Sequence, residues 1–151
     1  MPEEKPRVIV ALRDIESFAS LMDLAIRMAE TMRASLLALH IVEVPVNLDL
    51  SAESDELDSG ARALLAEAQK KAKESFGTIS TELIRARHTG KAIVDEAKQH
   101  SADLLVLGYC HRNPVSEVLL GSTAQYVMRH APCRVIVEVP APVAMTKREV
   151  A

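Results

Sequence analysis

The stretch "LLVLGYCHRNPVSEVLLGSTAQYVMRHAPCRVIV", residues 104–137, holds in one reading a strand, a loop, a helix and a second strand. Leu104-Leu105-Val106-Leu107 has no polar residue, which is the pattern of a short strand buried on both faces. Gly108 closes it. Ser122 to His130 then carries helical spacing and is stopped by Pro132. Arg134-Val135-Ile136-Val137-Glu138-Val139 is strand-like again. An apolar strand that leaves through a helix and returns as another strand reads as a parallel crossover.

The same alternation runs back to the N-terminus. Val8-Ile9-Val10-Ala11-Leu12 is a second run that is apolar on both sides. Phe18, Leu21, Met22, Ala25, Ala29 and Met32 recur every three or four residues and form one helix face. Ser35 to Val44 reads as a strand, and the polar stretch Pro45 to Ser59 as a loop. From Ser59 to about Phe76 the spacing of Ala61, Leu65, Ala68, Ala72 and Phe76 predicts a helix, with Gly77 placed to end it. Ile79 to Arg87 alternates apolar and polar, so it should lie near a sheet edge. Thr89 is expected to cap a helix over Ala92 to His100.

Five strands and four helices in alternation predict an α/β fold: a doubly wound, five-stranded parallel sheet of Rossmann-like type. Val8–Leu12 and Leu104–Leu107 should be its central strands. Ligands of such sheets bind beyond the carboxyl ends of the strands at the switch point. The expected site therefore lies among Arg13, Asp14, Ile41 and the loop after Leu107.

Composition narrows the function classes. With 151 residues the chain should be one domain, its core about 7–139 and its tail 140–151. A net charge of -3 offers no basic footprint, so nucleic acid is not an expected partner. Cys110 and Cys133 match neither a metal spacing nor a CxxC pair, and so small a number fits a reducing compartment. No apolar run approaches the roughly 18 residues of a membrane span, and MPEEKPR lacks the apolar core of a signal peptide. The expectation is a cytoplasmic protein that does not itself cross a membrane.

Two of the five glycines lie in the opening stretch, which asks for a reason. Gly108, at a strand end, would let a ligand approach the backbone closely. Gly121-Ser122-Thr123 starts a helix, whose free N–H groups and dipole favour an anion. One reading is a phosphate-binding loop. The other is a pair of turns, with Ser122 or Thr123 as an N-cap.

The spacing Gly108, His111, Gly121-Ser122, followed by a helix and "HAPCRVIV", resembles the Gly-x2-Gly-x9-Gly-Ser/Thr pattern of the universal stress protein family. "RVIVAL", "LLALHIVEVP", "GKAIVDEAKQHSADLLVLG" and "LLGSTAQYVMRHAPCRVIVE" resemble family blocks in the family's order, so the likeness covers the whole chain. The resemblance implies strand order 3-2-1-4-5, homodimers paired through the last strand (here Arg134 to Val139) and, in one branch, ATP or AMP held by this loop. Magnesium would accompany ATP. Carried over position by position, Gly108, Gly121, Ser122 and Thr123 would hold phosphates, and Ala11 and Ile41 would flank the base. Two positions depart from the nucleotide-binding pattern. Arg13 stands where an aspartate normally contacts the nucleoside, with Asp14 next to it, and His111 replaces the second loop glycine. Arg13, Asp14, His111 and Arg112 would then modify selectivity. "VALRD" and "HIVEVP" also look like the stress-protein-like domains attached to amino-acid permeases and cation antiporters, which implies a transporter as a partner. The alternative reading is a nucleotide-free dimeric interaction domain.

Other motifs carry less. His88-Thr89-Gly90-Lys91 departs from HxGH at its last position and reads as a helix start. There is no GxxxxGK[ST], no lysine after the fifth strand as a receiver domain needs, and only two Tyr and two Phe to stack a flavin. Neither a general base nor a metal cluster stands out, so no enzyme activity beyond slow ATP hydrolysis is expected. Cys110 reads as a passive loop thiol, His40 as a core histidine, and Met22, Met28 and Met32 as packing. Lys70, Lys71 and Lys73 read as a solvated helix face.

Overall fold

The computed structural model describes residues 4–51, 55–108, 111–112 and 118–139. In chain order its elements are β1 (Arg7–Ala11), α1 (Ile15–Met32), β2 (Ser35–Glu43), α2 (Asp55–Ser75), β3 (Ser80–Ala86), α3 (Thr89–Gln99) and β4 (Leu104–Gly108). Then follow β5 (His111–Arg112), β6 (Val118–Leu119), α4 (Ser122–His130) and β7 (Arg134–Glu138). The main sheet has the order β3-β2-β1-β4-β7 and every pairing in it is parallel. With β7 as the fifth strand of that sheet, this is the expected 3-2-1-4-5. The two double-sided apolar runs, β1 and β4, lie side by side, with Val8 opposite Leu104 and Ala11 opposite Leu107.

Alternation along those strands feeds two cores. Val8, Val10, Leu104 and Val106 pack against Leu21, Met22 and Ala25 of α1 and Leu65, Ala68 and Ala72 of α2. Ile9, Leu105 and Leu107 face the other way, onto Ile93, Val94 and Ala97 of α3 and Ala124 and Val127 of α4. Truncating a side chain such as Leu105 to alanine in so closed a layer costs about 2–5 kcal/mol. Met28 and Met32 pack against the first core, so the methionines are structural, as expected. Asp103 fastens the start of the sheet: its carboxylate accepts from the Arg7 N–H at 2.8 Å, and its own N–H donates to the Arg7 carbonyl at 2.9 Å.

Four local expectations need correction. The helix expected from Ser59 begins at Asp55, inside the stretch read as loop. Asp58 explains why an acidic segment can be helical here. It is only 2% exposed and pairs with Arg85 of β3, so burial with a cation overrides its turn-forming habit. The helix does end at Gly77, with φ of 140° and its N–H on the Ala72 carbonyl. Next, α3 starts at Thr89 and is capped by His88, whose Nδ1 accepts from the Lys91 N–H at 3.1 Å. The Thr89 hydroxyl donates instead to Glu43 Oε2 at 3.0 Å. Third, the N-cap of α4 is Gly121, with neither Ser122 nor Thr123 in that role. Fourth, the loop after β4 contains the antiparallel pair β5–β6, with His111 opposite Leu119 and Arg112 opposite Val118. On α2, Lys71 is more than a solvated charge, since its Nζ lies 3.1 Å from Asp23 of α1.

Candidate functional site

The switch point lies at the carboxyl ends of β1 and β4. Ala11 sits beside Leu107, and across β1 its other partner is Leu39 of β2. Ala11 and Ile41 both face the layer made by α3 and α4, and Ile41 is buried there. Beyond Ala11 the Leu12 N–H donates to the Leu39 carbonyl at 2.8 Å, while the Leu12 carbonyl meets His40 Nδ1 at 2.7 Å. His40 is thus tied to main chain, as a part-buried structural histidine.

Arg13 and Asp14 form the turn into α1. Asp14 is the helix N-cap: its Oδ1 accepts from the Ser17 N–H at 3.0 Å and the Ser17 hydroxyl at 2.9 Å. Its Oδ2 lies 3.9 Å from Arg13 Nε. The carboxylate next to the family's nucleoside-contacting position is therefore engaged in holding the turn.

Gly108 ends β4 on the side of α1. A Cβ built there would meet only Leu21 Cδ2, at 3.9 Å, so the protein's own packing does not require glycine. Glu138 is its strand partner and accepts from the Ser20 hydroxyl at 2.8 Å. After the β5–β6 pair the chain reaches Gly121, whose φ of -68° and ψ of 163° suit any residue. Because Gly121 has no side chain, it offers no cap to the orphan N–H groups of the first turn. The helix dipole adds a partial positive charge at the same place. That end of α4 can receive an anion. His111 and Arg112 are placed on β5, and the expectations for Tyr109 and Cys110 lie outside the described residues.

Packing between α3 and the middle of α4 is tight. A Cβ at Gly90 would fall 2.9 Å from Tyr126 Cβ, so α3 and α4 touch there through a glycine. The Tyr126 ring lies between His88 and His130, at centroid distances of 4.9 and 4.3 Å.

One group escaped the reading of the sequence. Glu82 of β3 and Glu96 and His100 at the end of α3 converge, with His100 Nε2 at 2.9 Å from Glu82 Oε1 and 3.2 Å from Glu96 Oε2. Burial, and then the neighbouring Glu82 carboxylate, push the Glu96 carboxyl above its ordinary value, against the opposing pull of His100. Glu96 and His100 are four apart on one helix face, and that spacing was the only trace in the sequence.

The model of the universal stress protein family matches residues 6–140. The chain belongs to the universal stress protein family. A family member from Methanocaldococcus jannaschii is 31% identical, over 75% of this chain and 69% of that protein. Among solved structures, the universal stress protein UspA from Lactobacillus plantarum is 27% identical, with a TM-score of 0.72 over 90% of this chain and 99% of that one. A universal stress protein from Archaeoglobus fulgidus, solved in complex with dAMP, shares the fold at a TM-score of 0.68 and 18% identity, over 89% and 97% of the two chains. Among the described residues no helix is long and apolar enough to cross a membrane.

Proposed function

We propose that this chain is a regulatory domain that binds an adenine nucleotide, AMP or ATP, across the carboxyl ends of β1 and β4. The observation that carries the reading is the start of α4, where Gly121 leaves the first-turn N–H groups without a side-chain cap. Free N–H groups at a helix start favour an anion. Ser122 and Thr123 add hydroxyls, Gly108 lets the backbone approach, and Ala11 and Ile41 flank the base. Arg13, Asp14, His111 and Arg112 tune selectivity. The same fold solved with dAMP, cAMP and AMP supports an adenine nucleotide as the occupant. Magnesium would arrive with ATP, bound through its phosphates. The output is a change in the segment from Tyr109 to Leu120, which alters the surface presented to a partner, a transporter among them. The ligand must prefer one state of that segment for the switch to work.

The dimer belongs to the same proposal. β7 is an edge strand, and an unpaired edge is a liability that a second copy removes. Cytoplasmic placement follows from the same reading.

One observation favours a second reading, a nucleotide-free interaction domain. Asp14 is engaged as a helix cap, and Arg13 stands in place of the nucleoside-contacting aspartate. Thermal melts with AMP, ATP or neither decide between them. A ligand that binds only the folded chain stabilises it by about 2.7 kcal/mol at a hundredfold excess over its Kd. We expect a saturable rise that Gly121→Leu abolishes. No rise at millimolar nucleotide would leave the interaction domain as the function.

A further inference from the structure

We propose that Glu82, Glu96 and His100 form a site for a first-row divalent metal of the zinc class, separate from the switch point and tying the edge strand β3 to α3. The three side chains each turn one donor atom to a common point, all within 4.8 Å of one another. A tetrahedral ion with bonds of about 2.1 Å needs donors about 3.4 Å apart. The separations of 2.9 and 3.2 Å from His100 Nε2 to the two carboxylates sit close to that requirement.

The nitrogen of the group bears on its chemistry. His100 Nε2 is buried and makes no hydrogen bond among the described residues, although two carboxylate oxygens lie within reach. Without its proton, that nitrogen is a metal donor beside two carboxylate donors. Charge agrees. Two partly buried carboxylates lie beside the same imidazole here. Arg7 is the neighbouring cation, but its Nη1 donates to the His100 carbonyl at 3.0 Å, on the main chain. An imidazole with two carboxylates suits zinc and its neighbours over magnesium or calcium, which prefer oxygen alone. Three protein ligands leave a fourth position for water or for a group from a partner.

Zinc is titrated into the chelator-treated full chain at neutral pH, followed by calorimetry, elemental analysis and thermal melts. We expect one zinc per chain, release of protons on binding, and a melting temperature that rises with occupancy. Bound cobalt(II) should show visible absorption with an imidazole ligand. Glu82→Gln and His100→Asn should each weaken binding by at least about tenfold while the metal-free chains stay folded. Glu82→Gln alone carries the test if the histidine variant does not fold. Gly121→Leu should bind zinc like the parent, which separates this site from the nucleotide reading. Absence of zinc uptake at micromolar concentrations, or equal uptake by the folded variants, would overturn the proposal.

Discussion

Gly90 shows how a single residue can mean something the sequence around it does not say. "HTGK" is legible as a helix start, and the helix does begin there. What a Cβ would meet at Gly90 is Tyr126, on another helix, and no local pattern announces a contact made only when α3 and α4 pack. Alanine normally gains helix stability over glycine, by up to about 1 kcal/mol. Here overpacking opposes that gain and should win: Gly90→Ala is expected to lose about 1–2 kcal/mol, measured by urea unfolding. Cys133 is a second case. Burial, and then the Asp103 charge, hold its thiol above the ordinary value of 9.0. Less thiolate is present at any given pH, so in a Cys110→Ser variant Cys133 should react with a disulfide reagent more slowly at pH 8 than free cysteine does. The folded chain keeps that proton longer than the unfolded one. The corresponding stability is therefore complete below pH 9.0 and lost as pH rises through the higher, folded-state value.

At the scale of elements, legibility followed burial. β1 and β4 are apolar on both faces, so their strand character and central place could be read directly. The two-residue strands β5 and β6 are too short for any period to show. The start of α2 was hidden because Asp58 reads as a loop former until its partner Arg85, on a different strand, is known. For the candidate site, the two central strands and the position of Gly121 were legible in the residues and the full strand order only through the family resemblance, but the engagement of Asp14 as a cap was not. The start of α4 carries the sharpest element-level prediction. Gly121 has an extended conformation open to any residue, so Gly121→Asp can supply the missing cap. It should raise stability by a few tenths of a kcal/mol while placing a negative charge where a phosphate would sit. A slightly higher melting temperature together with loss of the nucleotide-induced shift is the expected pair of results. An unchanged shift in that variant would place the nucleotide elsewhere.

For the whole molecule, the two sheet edges differ. β3 carries the charged Glu82 and Arg85 within it, while β7 has Val135, Ile136 and Val137 half-buried. Met128 on the outer face of α4 is 53% exposed, and Val139 just past β7 is also open. If copies meet through β7, Met128→Lys with Val139→Lys should shift sedimentation from dimer toward monomer and leave the zinc and nucleotide titrations in place. A monomeric parent chain would remove the dimer from the proposal. The strand order also governs how the chain can be made. β1 leaves the ribosome first and can pair with β2 almost at once, but its other neighbour, β4, arrives nearly a hundred residues later. At about 5–20 residues per second, Val8-Ile9-Val10 waits roughly 5–20 s with one side bare. During synthesis a central, apolar strand of the finished sheet is thus a temporary edge. Its protection in that interval falls to whatever binds nascent chains.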